Sequence, residues 1–155
     1  MIRPIGHEVI RASAGAGKTY QLVTRYVGLL AAGIPPEEIV ALTFSRKAAA
    51  EILDKIVERL ARGSAAGEAG AEALRGLNRA LGEGGYRADL ERPEVLAMLR
   101  RLLGQLHLCR VGSLDSFFVG VVRAFPFELG LVGDFRIVEG YTARRARQEV
   151  LGRVL

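Results

Sequence analysis

Eight residues near the beginning of the chain have the composition of a loop that binds phosphate groups. They read A-S-A-G-A-G-K-T at positions 12–19 and fit the pattern G-x-x-x-x-G-K-[ST], except that alanine stands at the first glycine position. Small residues let backbone N–H groups turn toward phosphate oxygens, and glycines adopt dihedral angles that other residues avoid. The predicted nucleotide-binding residues are Ala12, Ser13, Ala14, Gly15, Ala16, Gly17, Lys18 and Thr19.

Two side chains at the end of this loop have the chemistry to bind a triphosphate and its metal ion. Lys18 is the predicted catalytic residue, because its ammonium group would reach the β and γ phosphates and stabilise the transferred phosphoryl group. The Thr19 hydroxyl would be a ligand of Mg²⁺, and a helix that begins here would direct its positive dipole end at the phosphates. Kinases, GTPases, motor ATPases and helicases all share such a loop, so it predicts nucleotide binding without naming a reaction.

The hydrophobic pattern predicts the elements that would position this loop. A short apolar run at Val9 and Ile10 predicts a strand before the loop, and the apolar residues after it recur at helical spacing. Those residues are Leu22, Val23, Tyr26, Val27, Leu29 and Leu30. Gly33 is expected to end this helix, and Pro35 and Pro36 to form the turn that follows.

A second strand and a second helix are predicted next. Residues 39–44 form a continuous apolar run typical of a strand that is buried on both faces of a sheet. An amphipathic helix follows, with Glu51, Asp54, Lys55 and Glu58 largely on its polar side. Its apolar side contains Ala48, Ala49, Ile52, Leu53, Ile56, Val57 and Leu60. The order strand, helix, strand, helix indicates an α/β fold with a parallel sheet, whose ligands bind at the carboxyl ends of the strands.

The rest of the chain is less strongly patterned. Residues 63–85 are rich in alanine and glycine, which predicts an insertion or surface excursion with a short helix over 71–81. A stronger helix is predicted over 93–106, with its proline in the first turn, and a strand over 108–114. Asp115 is expected to cap a helix whose apolar residues are Phe117, Phe118, Val121 and Val122. The last predicted elements are a short extended piece at 135–138 and a helix from a Thr142 cap to the last residue.

Two further segments make the sequence pattern more specific. They are I-V-A-L-T-F-S-R-K-A-A-A-E-I at 39–52 and V-G-S-L-D-S-F-F at 111–118. Together with the phosphate loop as motif I, they resemble motifs Ia and Ib of superfamily 1 DNA helicases of the UvrD/RecB class. The resemblance covers most of the chain apart from about 63–107. The wide gap between the two segments resembles that of RecB-like and AddA-like helicase-nuclease subunits more than that of the compact UvrD type.

The resemblance implies a path for single-stranded DNA along two of these segments. Its predicted DNA-binding residues are Thr43, Phe44, Ser45, Arg46 and Ser116. The chemistry is compatible, because Phe44 at a strand end offers a face on which a base can stack, while Ser45, Arg46 and Lys47 can hold a phosphate. Core packing remains an alternative for Phe44. Helix capping is an alternative for Ser45, Ser113 and Ser116.

The chain also departs from the helicase pattern. Asp115 stands where the family often has histidine, and no glutamine precedes the loop to read adenine, so a preference for ATP is implied by the family alone. No apolar strand ending in Asp-Glu follows, and nothing resembles the later arginine-bearing motifs. We therefore expect an amino-terminal portion of a longer helicase that binds ATP and Mg²⁺ and hydrolyses ATP poorly by itself. The full-length protein would couple ATP hydrolysis to DNA translocation and unwinding in repair or recombination, with a helicase-nuclease partner subunit.

The expected fold class is α/β: an incomplete RecA-like parallel sheet of a P-loop NTPase, with flanking helices and a helical insertion. Residues 1–62 would be the first part of the motor domain, with motifs I and Ia, and residues 63–107 the helical insertion. Residues 108–124 would return to the motor core with the motif Ib-like segment. Residues 125–155 would begin a helical subdomain that is truncated.

Two other functions fit the phosphate loop. The first is a self-contained small P-loop phosphotransferase, in which the strand over 108–114 is the second nucleotide strand and Asp115 holds the magnesium ion. This alternative leaves T-F-S-R-K-A-A-A-E unexplained. The second is a nucleotide-sensing module for which a partner supplies the missing groups.

Composition sets wider bounds on the function. Half of the residues are hydrophobic and a quarter are charged, which is typical of a globular protein in water. The net charge of +5 suits a polyanionic partner and equally a solvated surface. No apolar stretch is long enough for a membrane span or a signal peptide, so we expect a cytoplasmic location and no membrane partner. Cys109, the one cysteine, is expected to be a buried strand thiol without a function.

Overall fold

The computed structural model describes Val9, residues 17–131 and residues 140–154. Its helices are α1 (Lys18–Ala31), α2 (Arg46–Ser64), α3 (Gly67–Glu83), α4 (Arg92–Gly104), α5 (Leu114–Ala124) and α6 (Gly140–Val154). Its strands are β1 (Val40–Thr43) and β2 (Arg110–Ser113). Two short 3-10 helices lie at Pro36–Glu38 and Leu106–Leu108. The chain divides into two compact units after Phe117, within α5. In the described part of the chain, no helix has the length and apolar character needed to cross a membrane.

The two strands form a parallel pair, in which Val40 lies opposite Arg110 and Thr43 opposite Ser113. Three helices, α2, α3 and α4, connect the end of β1 to the start of β2. The predicted class, α/β with parallel strands, is thus confirmed at this coarse level. The strand predicted before the phosphate loop is not seen at Val9, which lies outside any element and is 86% exposed, and Ile10 falls outside the described residues.

The prediction that the strand at 39–44 is buried on both faces is wrong for Val40, which is 46% exposed. Successive strand residues point to opposite faces of a sheet. Ala41 is only 6% exposed because it joins the core cluster with Ile52 and Ile56 of α2. Val40 points to the other face and stays open.

One hydrophobic cluster joins the first four helices. Helix α2 packs against α1, α3, α4 and both strands. The fully covered members of the cluster are Val27 from α1, Ile56 and Leu60 from α2, Leu81 from α3, and Val95 and Leu102 from α4. Truncating a buried leucine of this kind to alanine costs roughly 2–5 kcal/mol. The periodicity that predicted the apolar sides of α1 and α2 is confirmed by this cluster.

The region predicted as a surface excursion contributes directly to that core. Its helix α3 runs over Gly67–Glu83 and is longer than the predicted 71–81. The internal glycines weaken the helical pattern, but alanine and leucine favour a helix strongly enough to extend it. The loop after α3 also packs on α1, because a Cβ built at Gly28 would lie 2.5 Å from the Tyr86 ring, and Arg25 Nη1 donates a hydrogen bond to the Tyr86 hydroxyl over 3.3 Å.

The predicted helix ends are confirmed in the first half and corrected in the second. Gly33 has φ +87° just beyond α1, as expected for a glycine that ends a helix. The cap of α5 is Ser113 and not Asp115, because the Ser113 hydroxyl accepts the backbone N–H of Ser116 over 3.1 Å. Helix α6 begins at Gly140, so Thr142 lies inside its first turn and is not the cap.

Smaller corrections concern the region before β2. Helix α4 ends at Gly104, and Leu106–Leu108 forms a 3-10 turn, so the strand predicted over 108–114 is shortened to Arg110–Ser113. Cys109 therefore precedes the strand and is only partly buried. Burial raises the pKa of its thiol, which favours the protonated form over the reactive thiolate. The extended piece predicted at 135–138 lies outside the described residues.

Candidate nucleotide and nucleic-acid sites

The described end of the phosphate loop consists of Gly17 and the first turn of α1. Gly17 occupies the N-cap position with φ 77° and ψ 14°, a left-handed conformation that favours glycine. Within the described part of the chain no side chain caps the helix, and its first turn contains no acidic residue. Lys18 begins α1 and Thr19 follows it. The predicted site residues Ala12, Ser13, Ala14, Gly15 and Ala16 lie outside the described residues.

Thr19 is suited to a magnesium ion by its chemistry. In nucleotide sites Mg²⁺ is usually held through one or two protein oxygens together with substrate phosphates. Thr19 is partly exposed in the first turn of α1 and offers one hydroxyl oxygen there. Among residues 17–131 and 140–154, no group of three His, Cys, Asp or Glu side chains forms an additional metal centre.

The segments predicted to contact DNA meet at the carboxyl edge of the strand pair. Thr43 ends β1, Ser113 ends β2, and the parallel register places the two residues opposite one another. Each strand is followed at once by a helix with a serine cap. The Ser45 hydroxyl accepts the backbone N–H of Ala48 over 3.1 Å, and the Ser113 hydroxyl accepts that of Ser116 over the same distance.

Phe44 lies between β1 and α2 with 90% of its surface exposed. Within the described part of this chain, the ring is therefore not packed in the hydrophobic cluster. Beside it, Ser45, Arg46 and Lys47 are all exposed in the cap and first turn of α2. The positive end of the helix dipole and the two cationic side chains would all attract an anion at this position. The arrangement offers a stacking face next to a site for an anion.

The end of β2 is less accessible to solvent than the end of β1. Ser113 is 3% exposed, and its hydroxyl lies 2.7 Å from that of Ser116. The Ser116 side chain is exposed, but its hydroxyl already has this partner. Asp115 is exposed in the same first turn of α5 and adds a negative charge. The structure therefore brings Ser116 to the same edge as Thr43 and Phe44, but with less capacity to bind a phosphate.

A contact between α1 and α2 was missed by sequence reasoning. The guanidinium of Arg59 lies over the Tyr20 ring, 4.5 Å from its centroid, and donates hydrogen bonds to side chains of α1. Residues 20 and 59 are far apart in sequence, and Arg59 is a partly buried cation that lies three residues after the buried Ile56 and one before the buried Leu60. No local pattern links two such positions.

The chain belongs to the UvrD/REP helicase family, because the model of the UvrD/REP helicase N-terminal domain matches residues 3–153. This match confirms the resemblance carried by the three motifs and favours it over the phosphotransferase alternative. The chain is 27% identical to an ATP-dependent helicase/nuclease subunit from Heliobacterium modesticaldum over 94% of its own length and 9% of that protein. It is 29% identical to the proteins of the same name from Streptococcus sanguinis (84% of the chain, 9% of the relative) and Listeria monocytogenes serotype 4a (92% and 10%).

The chain thus spans about a tenth of the length of the curated relatives it matches. No solved structure matches it.

Proposed function

We propose that this chain forms the ATP-binding part of a DNA helicase, with a nucleotide site at the start of α1 and a single-stranded DNA site at the carboxyl edge of β1 and β2. The whole helicase would couple ATP hydrolysis to movement along DNA and to unwinding. The names of the relatives support this proposal, since each is called an ATP-dependent helicase/nuclease subunit. A role in DNA repair or recombination, together with a helicase-nuclease partner, belongs to the same proposal.

At the nucleotide site, Lys18 would hold the β and γ phosphates and Thr19 would hold magnesium. The left-handed Gly17 at the N-cap of α1 supports these roles. The finer fold assignment, a RecA-like sheet of a P-loop NTPase, is part of the proposal and rests on the parallel strand pair and the family.

At the DNA site, Phe44 would stack on a base while Ser45 and Arg46 hold the adjoining phosphate. Thr43 and Ser116 would line the path on either side. The single observation that carries this assignment is the exposure of Phe44, 90% of whose surface is open at the strand edge where the motif Ia and motif Ib segments meet.

The proposed organisation along the chain follows the motifs. Residues 1–62 and 108–124 would build the motor core, and residues 125–155 would start a helical subdomain. Residues 63–107 would be a helical insertion in sequence, but one that shares the core of the motor, since Leu81 and Leu102 are fully covered within the same cluster as Val27.

The nucleotide site is tested by Lys18→Ala. We expect the affinity for Mg²⁺·ATP to fall at least about tenfold, because a hydrogen bond to a charged group contributes about 1.5–3 kcal/mol. Isothermal titration calorimetry measures the change. Lys55→Ala removes the same charge from an exposed position of α2 and is the matched control. Equal ATP affinity in wild type, Lys18→Ala and Lys55→Ala would contradict the assignment of the phosphate loop.

A further inference from the structure

Arg59 connects α2 to the first two turns of α1 through three contacts. Its Nη1 donates a hydrogen bond to Thr24 Oγ1 over 2.7 Å, and its Nη2 donates one to the Tyr20 hydroxyl over 3.1 Å. Its guanidinium plane also covers the Tyr20 ring, with 4.5 Å between the guanidinium carbon and the ring centroid. One side chain of α2 therefore holds two residues of α1 that lie one helical turn apart.

The side chain of Thr24 extends this contact to the backbone of α1. Thr24 is 3% exposed, and its Oγ1 donates to the carbonyl of Tyr20 over 2.9 Å while it accepts from Arg59. Because a hydroxyl has one proton, donation to the carbonyl leaves the oxygen lone pairs for the guanidinium. The three side chains therefore form one hydrogen-bonded network, in which Arg59 contacts the Tyr20 hydroxyl and Thr24 contacts the Tyr20 carbonyl.

Tyr20 directly follows the two residues with proposed nucleotide roles, Lys18 and Thr19. It is 51% exposed, so packing covers only about half of its surface. The aromatic ring, the phenol oxygen and the carbonyl of this residue are all held through the Arg59 set. Tyr20 is thereby the point at which a contact from α2 reaches the start of α1.

Arg59 keeps its positive charge close to this turn. Its partners among the described residues are a hydroxyl, a phenol and an aromatic face, and none of them is a carboxylate. Arg62, one turn further along α2, differs in this respect because its Nη1 pairs with Glu58 over 3.3 Å.

We propose that Arg59 is a positioning residue for the triphosphate, because it orders the turn that presents Lys18 and Thr19. This inference rests on the proposed nucleotide site. If only a fraction of molecules holds the turn in its binding conformation, the apparent affinity falls by that fraction. Loss of Arg59 should therefore weaken binding without removing any direct phosphate ligand.

The test compares Arg59→Ala with Arg62→Ala, which removes an arginine from the same helix without touching α1. Affinities for Mg²⁺·ATP and for inorganic tripolyphosphate are measured by calorimetry, with the unfolding free energy of each variant measured in urea. We expect Arg59→Ala to weaken both ligands about tenfold, equivalent to about 1.4 kcal/mol, and Arg62→Ala to change neither beyond about twofold. Parallel loss for tripolyphosphate shows that the effect is on the phosphates.

Two milder variants keep the test valid where Arg59→Ala fails to fold. Arg59→Lys retains the charge but not the two-pronged donor, and Tyr20→Phe removes only the hydroxyl that accepts from Arg59. We expect each to weaken tripolyphosphate about threefold in a fully folded protein. Wild-type affinity in these variants, with binding still weakened in Lys18→Ala, would overturn the role of Arg59 alone. Wild-type affinity in Lys18→Ala as well would overturn the nucleotide site itself.

Discussion

The two strand-to-helix junctions of this protein have the same plan and different surroundings. In each, a short strand ends, a serine caps the next helix, and the helix leads away from the sheet: β1 passes through Ser45 into α2, and β2 through Ser113 into α5. The parallel register places the junctions side by side, because Thr43 lies opposite Ser113.

The surroundings decide what each junction can do. The first is open and cationic, with Phe44 90% exposed and Arg46 exposed in the first turn of α2. The second is closed, since Ser113 is 3% exposed and bonds both the backbone and the hydroxyl of Ser116, and it has an acidic residue, Asp115, in its first turn. Serine caps the helix at both junctions. At the end of β2 the serine mainly stabilises the structure, whereas the residues around Ser45 after β1 remain accessible to a ligand.

The largest expected difference between the junctions is in stability. Ser113→Ala should lower the free energy of unfolding by about 2 kcal/mol, because it removes the cap of α5 and leaves the partly buried backbone N–H of Ser116 without its partner. Ser45→Ala should cost only about 1 kcal/mol, since water can reach the freed N–H of Ala48. Urea unfolding followed by circular dichroism measures both. An equal or larger loss in Ser45→Ala would remove the distinction between a closed and an open junction.

Arg46 tests the cationic character of the first junction. We expect Arg46→Ala to weaken binding of a fluorescein-labelled oligothymidine by about 1 kcal/mol, roughly fivefold, and to reduce the slope of log affinity against log salt by about 0.7. Fluorescence anisotropy at several salt concentrations gives both values. Arg75→Ala, at an exposed position of α3, is the control and should leave the slope unchanged. An unchanged slope in Arg46→Ala would show that this arginine contacts no phosphate.

Replacement of Asp115 should have the smallest effect on DNA affinity, and it should strengthen binding where the replacement of Arg46 weakens it. Asp115→Asn should strengthen oligothymidine binding by roughly twofold, because it removes a like charge near the DNA phosphates and exposed charges interact weakly. Magnesium-dependent ATP binding should stay at the wild-type level. Loss of that binding in Asp115→Asn would instead favour the small phosphotransferase, in which this carboxylate holds the metal.

Local patterns predicted much of the first unit, because helix periodicity and glycine stops depend on neighbouring residues. The apolar side of α2 and the stop at Gly33 were both predictable in this way. The cap of α5 was misplaced by two residues, since Ser113 and Asp115 are equally good capping residues and only the end of β2 chooses between them. The contact of Arg59 with Tyr20 depends on how α2 crosses α1, which no short sequence window contains.

The accessibility of the candidate DNA site could not be predicted from the sequence. The family resemblance proposed Thr43, Phe44 and Ser116 as its members, and the parallel register places the ends of their two strands side by side. Whether Phe44 faced the core or solvent could not be decided from a phenylalanine at a strand end, because both environments accept it. Its exposure is a property of the packed molecule.

The most direct test of the proposed DNA-binding edge is the affinity of Phe44→Ala for single-stranded DNA. Loss of one base-stacking contact costs about 1–3 kcal/mol, so anisotropy titration with oligothymidine should show a loss of about tenfold or more. Phe127→Ala is the matched control, because Phe127 is also highly exposed, at 85% against 90% for Phe44, but lies away from the two strand ends in sequence. We predict wild-type DNA affinity for Phe127→Ala. Wild-type affinity in Phe44→Ala as well would contradict the proposal that this strand edge binds DNA.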